Sequence, residues 1–283
     1  MQANWVINET SGIKFHQFMD LDATSINSQD LNEIKQSLYE NGIVVLKHQS
    51  FDQDSFLKFG KQWGTIQKFN LKDYGSKEHP EILFINNNGS GEIKGTRRIG
   101  TMWHSDSSYR PDPLPLTFLY ALEVPQSGGD TLFINMQSIY NSLGASIVTN
   151  LETMYGVHEA SYAYRVTEND VDYSINDILS RLRENFPAVK HPAIITHPVT
   201  KVKSVYLSHG YTTNLIKDNN EYRELLAEVK EYITKEEHIY SYHWQPQDLV
   251  IWDNRSVIHS ATDLPITANR KMMRIGIEDM SMY

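Results

Sequence analysis

The chain of 283 residues contains no cysteine. That removes disulfides, zinc–thiolate sites, iron–sulfur clusters and thiol nucleophiles in one step. Any transition metal here must be held by His, Asp and Glu, a donor set that suits non-haem iron among other ions. Positive charge is also short. With 26 Lys and Arg against 35 Asp and Glu, the formal net charge is −9, which argues against a general nucleic-acid grip. Long apolar runs are missing, and Met1 to Phe15 has no basic segment leading into one. A soluble, cytoplasmic protein without a membrane partner is therefore the expectation. No repeat, low-complexity tract or long linker divides the chain, so one domain over residues 1–283 is expected. There is no Gly-rich phosphate loop and no GxSxG elbow, which counts against nucleotide-dependent and serine-hydrolase chemistry.

What is present reads as many short strands interrupted by helices. Ser28 is placed to cap a helix through Leu31, Ile34, Leu38 and Tyr39, and Gly42 to stop it. Ile43 to Leu46 then reads as a buried strand. Asp52 caps a second helix through Phe56 and Phe59 to Trp63. Strands are expected at 81–85, 117–124, 131–135, 193–196, 204–207, 248–253, 257–260 and 272–278. Helices are expected around 138–154, 175–186 and 221–234, the last with Leu225, Leu226, Val229 and Ile233 on one face. This is not a regular βαβ alternation, so the fold class is mainly β with helices.

The segment that carries chemistry is Trp103-His104-Ser105-Asp106. In extended backbone, residues i and i+2 point to the same side, so His104 and Asp106 can present an imidazole and a carboxylate to one ion. Two His and one carboxylate on one face leave open positions for oxygen activation at Fe(II). The pair by itself is weak, since roughly one His-x-Asp per chain is expected by chance. The third ligand must come from elsewhere, and His209, His243 and His259 are the candidates. His243 precedes a proline-containing turn and reads as a surface or packed residue. His209 reads as structural, within reach of a substrate. Three further segments add weight: Ser127-Gly128-Gly129-Asp130-Thr131, Trp252-Asp253-Asn254-Arg255 before Val257-Ile258-His259-Ser260-Ala261, and Arg270 followed by Arg274.

In that order, and in WHSDSSYRPDPLP, VPQSGGDTLFINM, HPAIITHPVTKVKSVYLS, WQPQDLVIWDNRSVIHSAT and ANRKMMRIGI, the chain resembles the taurine dioxygenase / 2,4-dichlorophenoxyacetate dioxygenase family of Fe(II)/2-oxoglutarate-dependent oxygenases. Recognisable segments run from about Gly42 to Glu278. The resemblance implies a double-stranded β-helix, or cupin-like jelly roll, with helices packed outside. It implies iron ligands at His104, Asp106 and His259, and 2-oxoglutarate contacts at Thr131 and Arg270. Arg270 would pair with the distal carboxylate of 2-oxoglutarate, for which a guanidinium fork is suited. Arg274 would lie near the same pocket and face either the cosubstrate or an anionic substrate. A homo-oligomer is implied in the same way.

The implied reaction consumes O2 and 2-oxoglutarate, releases succinate and CO2, and hydroxylates, oxidatively cleaves or desaturates a small, anionic organic substrate. Asp106 fills a position that a related halogenase would leave for chloride, so hydroxylation is expected over halogenation. Two departures from the family stand against taurine itself. Gly100 stands four residues before His104, where taurine-type members carry asparagine. Ile66-Gln67-Lys68-Phe69-Asn70 lacks the histidine and tyrosine expected for sulfonate binding. The competing readings are a cupin-like metal enzyme that does not use 2-oxoglutarate and an inactive binding protein of the same fold; Arg270 with Thr131 and the complete triad stand against them. Trp103, Phe133 and Trp252 read as packing residues. Asp253 and Asn254 read either as hydrogen-bond partners of the ligands or as turn formers, and His197 is given no chemistry. Lys94, Arg97 and Arg98, after the Asn- and Gly-rich stretch 86–91, read as a solvated basic loop or as an anion-attracting lid.

Overall fold

A computed structural model describes residues 2–68, 78–87, 100–162, 164, 166, 170–265 and 268–279. Lys94, Arg97, Arg98 and residues 88–91, 69 and 70 lie outside these described residues, and with them the basic-loop expectation. The largest sheet has eight strands. Across it run Ala3–Asn8, Ile13–Phe18, Ile43–Leu46, Leu249–Asp253, Leu116–Glu123, Lys271–Glu278 and Thr65–Ile66, with Leu83–Asn86 also paired to Lys271–Glu278. Pairing is antiparallel except between Ile13–Phe18 and Ile43–Leu46. A three-stranded sheet consists of Tyr240–Tyr242, Thr131–Asn135 and Val257–Ala261. A four-stranded sheet contains Tyr155–His158 and Thr212–Lys217, and a hairpin joins Ile194–Thr196 to Lys203–Val205.

Alternation along the strands decides what faces the site. Ile43, Val45, Leu119, Ala121, Val250, Trp252 and Met272 of the large sheet share an apolar cluster with Phe133, Tyr242 and Val257 of the three-stranded sheet. The two sheets therefore pack face to face. Their neighbours in sequence, Val44, Leu46, Phe118, Tyr120, Ile251 and Met273, turn to the opposite side. There they meet Ile34 and Leu38 of helix Ser28–Asn41 and Phe56 and Phe59 of helix Gln53–Lys61. On the far side of the small sheet, Ile134 and Ile258 pack with Ile139, Leu151, Val229 and Ile233 from three further helices. Side chains repeat with period two in a strand. Thr117 and Arg274 are in phase with Leu119 and Met272, and Thr131 and His259 with Phe133 and Val257. All four face the space between the two sheets.

Several local expectations need correction. The first helix is capped by Asn27, whose side chain accepts from the Asp30 N–H at 2.9 Å, not by Ser28, which is already helical. Gly42 does end that helix, at φ 79°, and a Cβ there would stand 2.9 Å from Val257 Cγ1. The glycine is thus required both by the left-handed cap and by close packing. Asp52 caps the second helix through a capping box with Ser55, but the helix stops at Lys61. The helix expected around 138–154 is two, Met136–Ser142 and Ala145–Leu151, because Leu143 is extended and Gly144 starts the second. The N-terminal hairpin, Tyr155–His158 and Thr212–Lys217 were not anticipated as strands. Leu225, Leu226, Val229 and Ile233 do share a helix face against one cluster, as expected, with Leu225 partly buried.

The two caps can be told apart. Asn27→Ala should destabilise the protein by about 1 kcal/mol in urea unfolding. Ser28→Ala should leave it nearly unchanged.

Candidate active site

His104 and His259 lie side by side because their backbones pair. The His104 N–H donates to the His259 carbonyl at 3.0 Å and the His259 N–H to the His104 carbonyl at 2.9 Å, an isolated antiparallel bridge. The imidazole centroids are 4.2 Å apart. Asp106 follows two residues after His104, on the same side. His104 Nε2 is 3.6 Å from Asp106 Oδ1, and His259 Nε2 is 3.8 Å from Asp106 Oδ2. Among the described residues these three form the group of His and acidic side chains that could hold a metal ion, with all ligand atoms within 4.8 Å of one another.

The donor chemistry fits a cation. His104 Nδ1 lies 2.6 Å from the Met102 carbonyl, so it carries the proton and leaves Nε2 with a lone pair. Burial, reinforced by the charge of His104, takes the His259 imidazole down to about 3, so its ring is neutral. Nitrogen lone pairs and carboxylate oxygens thus converge at separations too long for hydrogen bonds between them. Such a cluster of acceptors is costly to bury without a positive centre.

Asp106 is held from behind. Burial alone would push its carboxyl up. The Arg274 guanidinium, with Nη2 2.9 Å from Oδ2, leads the interactions that outweigh burial and hold it well below the usual carboxylate range. Thr117 Oγ1 donates to Asp106 Oδ2 at 2.5 Å and accepts from Asn254 Nδ2 at 3.0 Å. Asn254 Oδ1 accepts from the Asp106 N–H and from Trp252 Nε1, both at 3.1 Å. Asn254 therefore reaches the metal-site carboxylate. Asp253 does not; it binds His197 Nε2 at 3.0 Å and Arg255 Nε at 2.8 Å, fixing the turn. Trp252 and Phe133 pack on the His259 ring, with centroids at 4.6 and 6.3 Å.

Thr131 and Arg270, the two expected 2-oxoglutarate contacts, are both buried. Thr131 Oγ1 accepts from Trp244 Nε1 at 3.0 Å. Arg270 is buried, its Nε has no partner among the described residues, and burial lowers it to about 10 against the opposing charge of Asp130. The glycine just before Asp130 explains how it fits. Gly129 sits at φ 75°, and a Cβ there would stand 2.8 Å from Leu264 Cδ2 and 3.3 Å from Arg270 Cδ. Only a bare backbone lets the arginine stem lie across this turn.

Of the rival histidines, neither joins the cluster. The His243 side chain is 80% exposed and pairs with Asp130 at 2.7 Å. His209 is half-buried, and burial followed by the charge of Lys230 lowers it to about 4. Arg274, expected toward cosubstrate or substrate, lies against Asp106. Thr117, Trp244, Tyr109 and Tyr211 were missed in the sequence. Tyr211 meets His104 edge-on at 6.1 Å and Tyr109 at 4.9 Å, making an aromatic wall beside the imidazole. Thr117 carried a signal, a hydroxyl inside the apolar run 116–121; Trp244 carried none.

The sequence profile of the Taurine catabolism dioxygenase TauD, TfdA family matches residues 9–275. The chain belongs to this family. It is 32% identical over 257 residues to pentalenolactone F synthase of Streptomyces arenae, covering 86% of this chain and 84% of that protein. It is 29% identical over 261 residues to the alpha-ketoglutarate-dependent 2,4-dichlorophenoxyacetate dioxygenase of Cupriavidus pinatubonensis, covering 88% and 89%. Two solved structures share the fold. AAD-2 in complex with Mn(II) and N-oxalylglycine superposes with TM-score 0.76 at 22% identity, covering 99% of this chain and 98% of that one. A taurine dioxygenase from Burkholderia xenovorans gives 0.74 at 21%, covering 93% and 85%. This TauD, TfdA family member therefore has the cupin-like jelly-roll core, here as two facing sheets. By class it is an Fe(II)- and 2-oxoglutarate-dependent dioxygenase, an oxidoreductase that takes O2 and a small-molecule substrate. No helix among the described residues is long and apolar enough to cross a membrane.

The hydrogen bonds behind Asp106 make a prediction about the metal. Thr117→Val should lower Mn(II) affinity by roughly tenfold in an EPR titration, because second-layer partners orient a ligating carboxylate. Unchanged affinity would mean that Arg274 alone suffices to hold Asp106.

Proposed function

We propose that His104, Asp106 and His259 hold Fe(II), and that Thr131 and Arg270 grip the far carboxylate of 2-oxoglutarate. We further propose that the substrate is a small organic anion. When bound, Fe(II) and 2-oxoglutarate supply the O2-dependent oxidising power that yields succinate and CO2 and attacks a substrate C–H bond. The convergence of the three side chains, with their ligand atoms within 4.8 Å of one another and both His Nε2 atoms turned to the carboxylate at 3.6 and 3.8 Å, carries the metal assignment. The buried Arg270 and the Thr131 hydroxyl support the cosubstrate assignment: both offer donors, and a carboxylate is an acceptor-only ligand.

The remaining residues orient and exclude. Trp252 and Phe133 keep the His259 ring from rotating and shield it from water. Asn254 and Thr117 fix the rotation of the Asp106 carboxylate. Tyr109 and Tyr211 bound the side on which a substrate would lie. Arg274 adds a positive charge next to the reaction centre, which favours an anionic substrate. The relative named for 2,4-dichlorophenoxyacetate takes a carboxylate, in line with this. Gly100 and the Ile66-Gln67-Lys68 segment carry none of the side chains expected for a sulfonate, so taurine is not the substrate proposed. Hydroxylation is the favoured outcome, with cleavage following where the hydroxylated carbon bears a heteroatom, and desaturation as the other oxidative route. In this reading the chain is one catalytic domain, works in the cytoplasm and assembles with copies of itself.

The test is a panel of small carboxylic, sulfonic and neutral compounds, read by Fe(II)- and O2-dependent succinate formation. At least one carboxylic acid should stimulate succinate release. With metal content matched, Arg274→Gln should raise its KM by about tenfold, the scale of one charge-assisted contact. Stimulation by neutral compounds alone, with KM insensitive to Arg274, would overturn the anionic-substrate reading.

A further inference from the structure

We infer that Trp244 is a positioning residue for 2-oxoglutarate: its indole N–H fixes the Thr131 hydroxyl so that the hydroxyl proton points at the cosubstrate. The inference rests on the reading that Thr131 and Arg270 hold that cosubstrate.

A threonine hydroxyl has one proton and two lone pairs, and left alone it rotates to suit any neighbour. An indole N–H is a donor only. With Trp244 Nε1 donating to Thr131 Oγ1 at 3.0 Å, one lone pair is engaged and the proton must be directed elsewhere. Thr131 is buried, and no hydrogen bond donated by its hydroxyl is found among the described residues. Arg270, whose stem packs against Gly129 at the same turn, has a buried Nε that is likewise unpartnered. Both residues thus hold buried donors of the kind a carboxylate requires, and Trp244 sets the polarity of the one group that could have presented a lone pair instead.

Trp244 is itself held by groups remote from the pocket. It follows strand Tyr240–Tyr242, in which Tyr242 pairs in register with Thr131, so the indole reaches back to the residue that its own strand lies against. Its ring packs edge-on against Tyr242 at 5.1 Å, within the cluster between the sheets. The Tyr242 hydroxyl donates to Asp248 Oδ2 at 2.7 Å, and Asp248 Oδ1 pairs with Lys47 at 2.6 Å. The N–H is therefore in place before any ligand arrives, and the threonine pays no reorientation on binding.

The experiment measures 2-oxoglutarate binding to Mn(II)-loaded protein by calorimetry, alongside Mn(II) affinity by EPR. Trp244→Phe keeps an aromatic ring and removes the N–H. It should weaken 2-oxoglutarate about tenfold and leave Mn(II) affinity unchanged. Thr131→Val should weaken it similarly, and Thr131→Ser, which keeps the hydroxyl, should not. Combined with Thr131→Val, Trp244→Phe should add no further loss, because both act through one hydroxyl. If Trp244→Phe does not fold, a benzothiophene analogue at position 244 keeps the bicyclic shape without the N–H and should give the same result. Parent-like 2-oxoglutarate affinity in either variant, additive losses in the double variant, or parallel loss of Mn(II) affinity would overturn the proposal. Failure of the parent Mn(II) protein to bind 2-oxoglutarate would instead overturn the cosubstrate reading on which it rests.

Discussion

A carboxylate buried between two imidazoles and a guanidinium is the arrangement on which the rest of this structure depends. Asp106 is nearly inaccessible, and desolvation of its charge would be prohibitive without compensation. Compensation comes from the strand Lys271–Glu278 through Arg274, from Leu116–Glu123 through Thr117, and from the turn after Leu249–Asp253 through Asn254. Three neighbouring strands of the large sheet thus converge on one side chain. The small sheet contributes His259. A metal ion at this point would join the two sheets as well as serve catalysis, so metal binding and packing between the sheets are coupled.

The sheets make that convergence cheap. Their alternation places apolar side chains on both faces of Ile43–Leu46, Leu116–Glu123 and Leu249–Asp253, so each strand is fixed in register by burial on two sides. A slip of one residue would turn Thr117 and His259 away from the site and bring Phe118 and Ile258 into it. The site is therefore held by the core, and the polar groups refine geometry that apolar packing has already set. The buried His197–Asp253–Arg255–Asp279 network, with the Tyr39 hydroxyl 3.0 Å from Asp279, extends the support to the first helix and the C-terminal strand.

What the sequence disclosed divides along the same line. Two ligands of the metal cluster were legible because they are two residues apart; the third, His259, was picked from three candidate histidines only by the family resemblance. The glycines before Asp130 were legible as a motif, though the reason for the second, room for the Arg270 stem, emerges only when positions 129 and 270 are brought together. Strands buried on both faces stood out as apolar runs. The hairpin Ala3–Asn8 and Ile13–Phe18 did not, because its first strand is largely exposed and mixes polar with apolar residues. Ser28 was preferred as a cap over Asn27 because both residue types cap well and adjacent candidates differ only in backbone conformation. Arg274 was read as lying near the cosubstrate pocket; its added pairing with Asp106 joins positions 168 residues apart, 274 less 106, and nothing local encodes it. Trp244 and Thr131 meet for the same non-local reason, across paired strands.

The central claim is that the three converging ligands and the Thr131–Arg270 pair build one site, with the cosubstrate bound to the iron they hold. The visible spectrum of the protein with Fe(II) and 2-oxoglutarate under anaerobic conditions tests this most directly. The account predicts a weak charge-transfer band that disappears in Asp106→Ala and weakens in Arg270→Ala. Iron bound with no such band would contradict it.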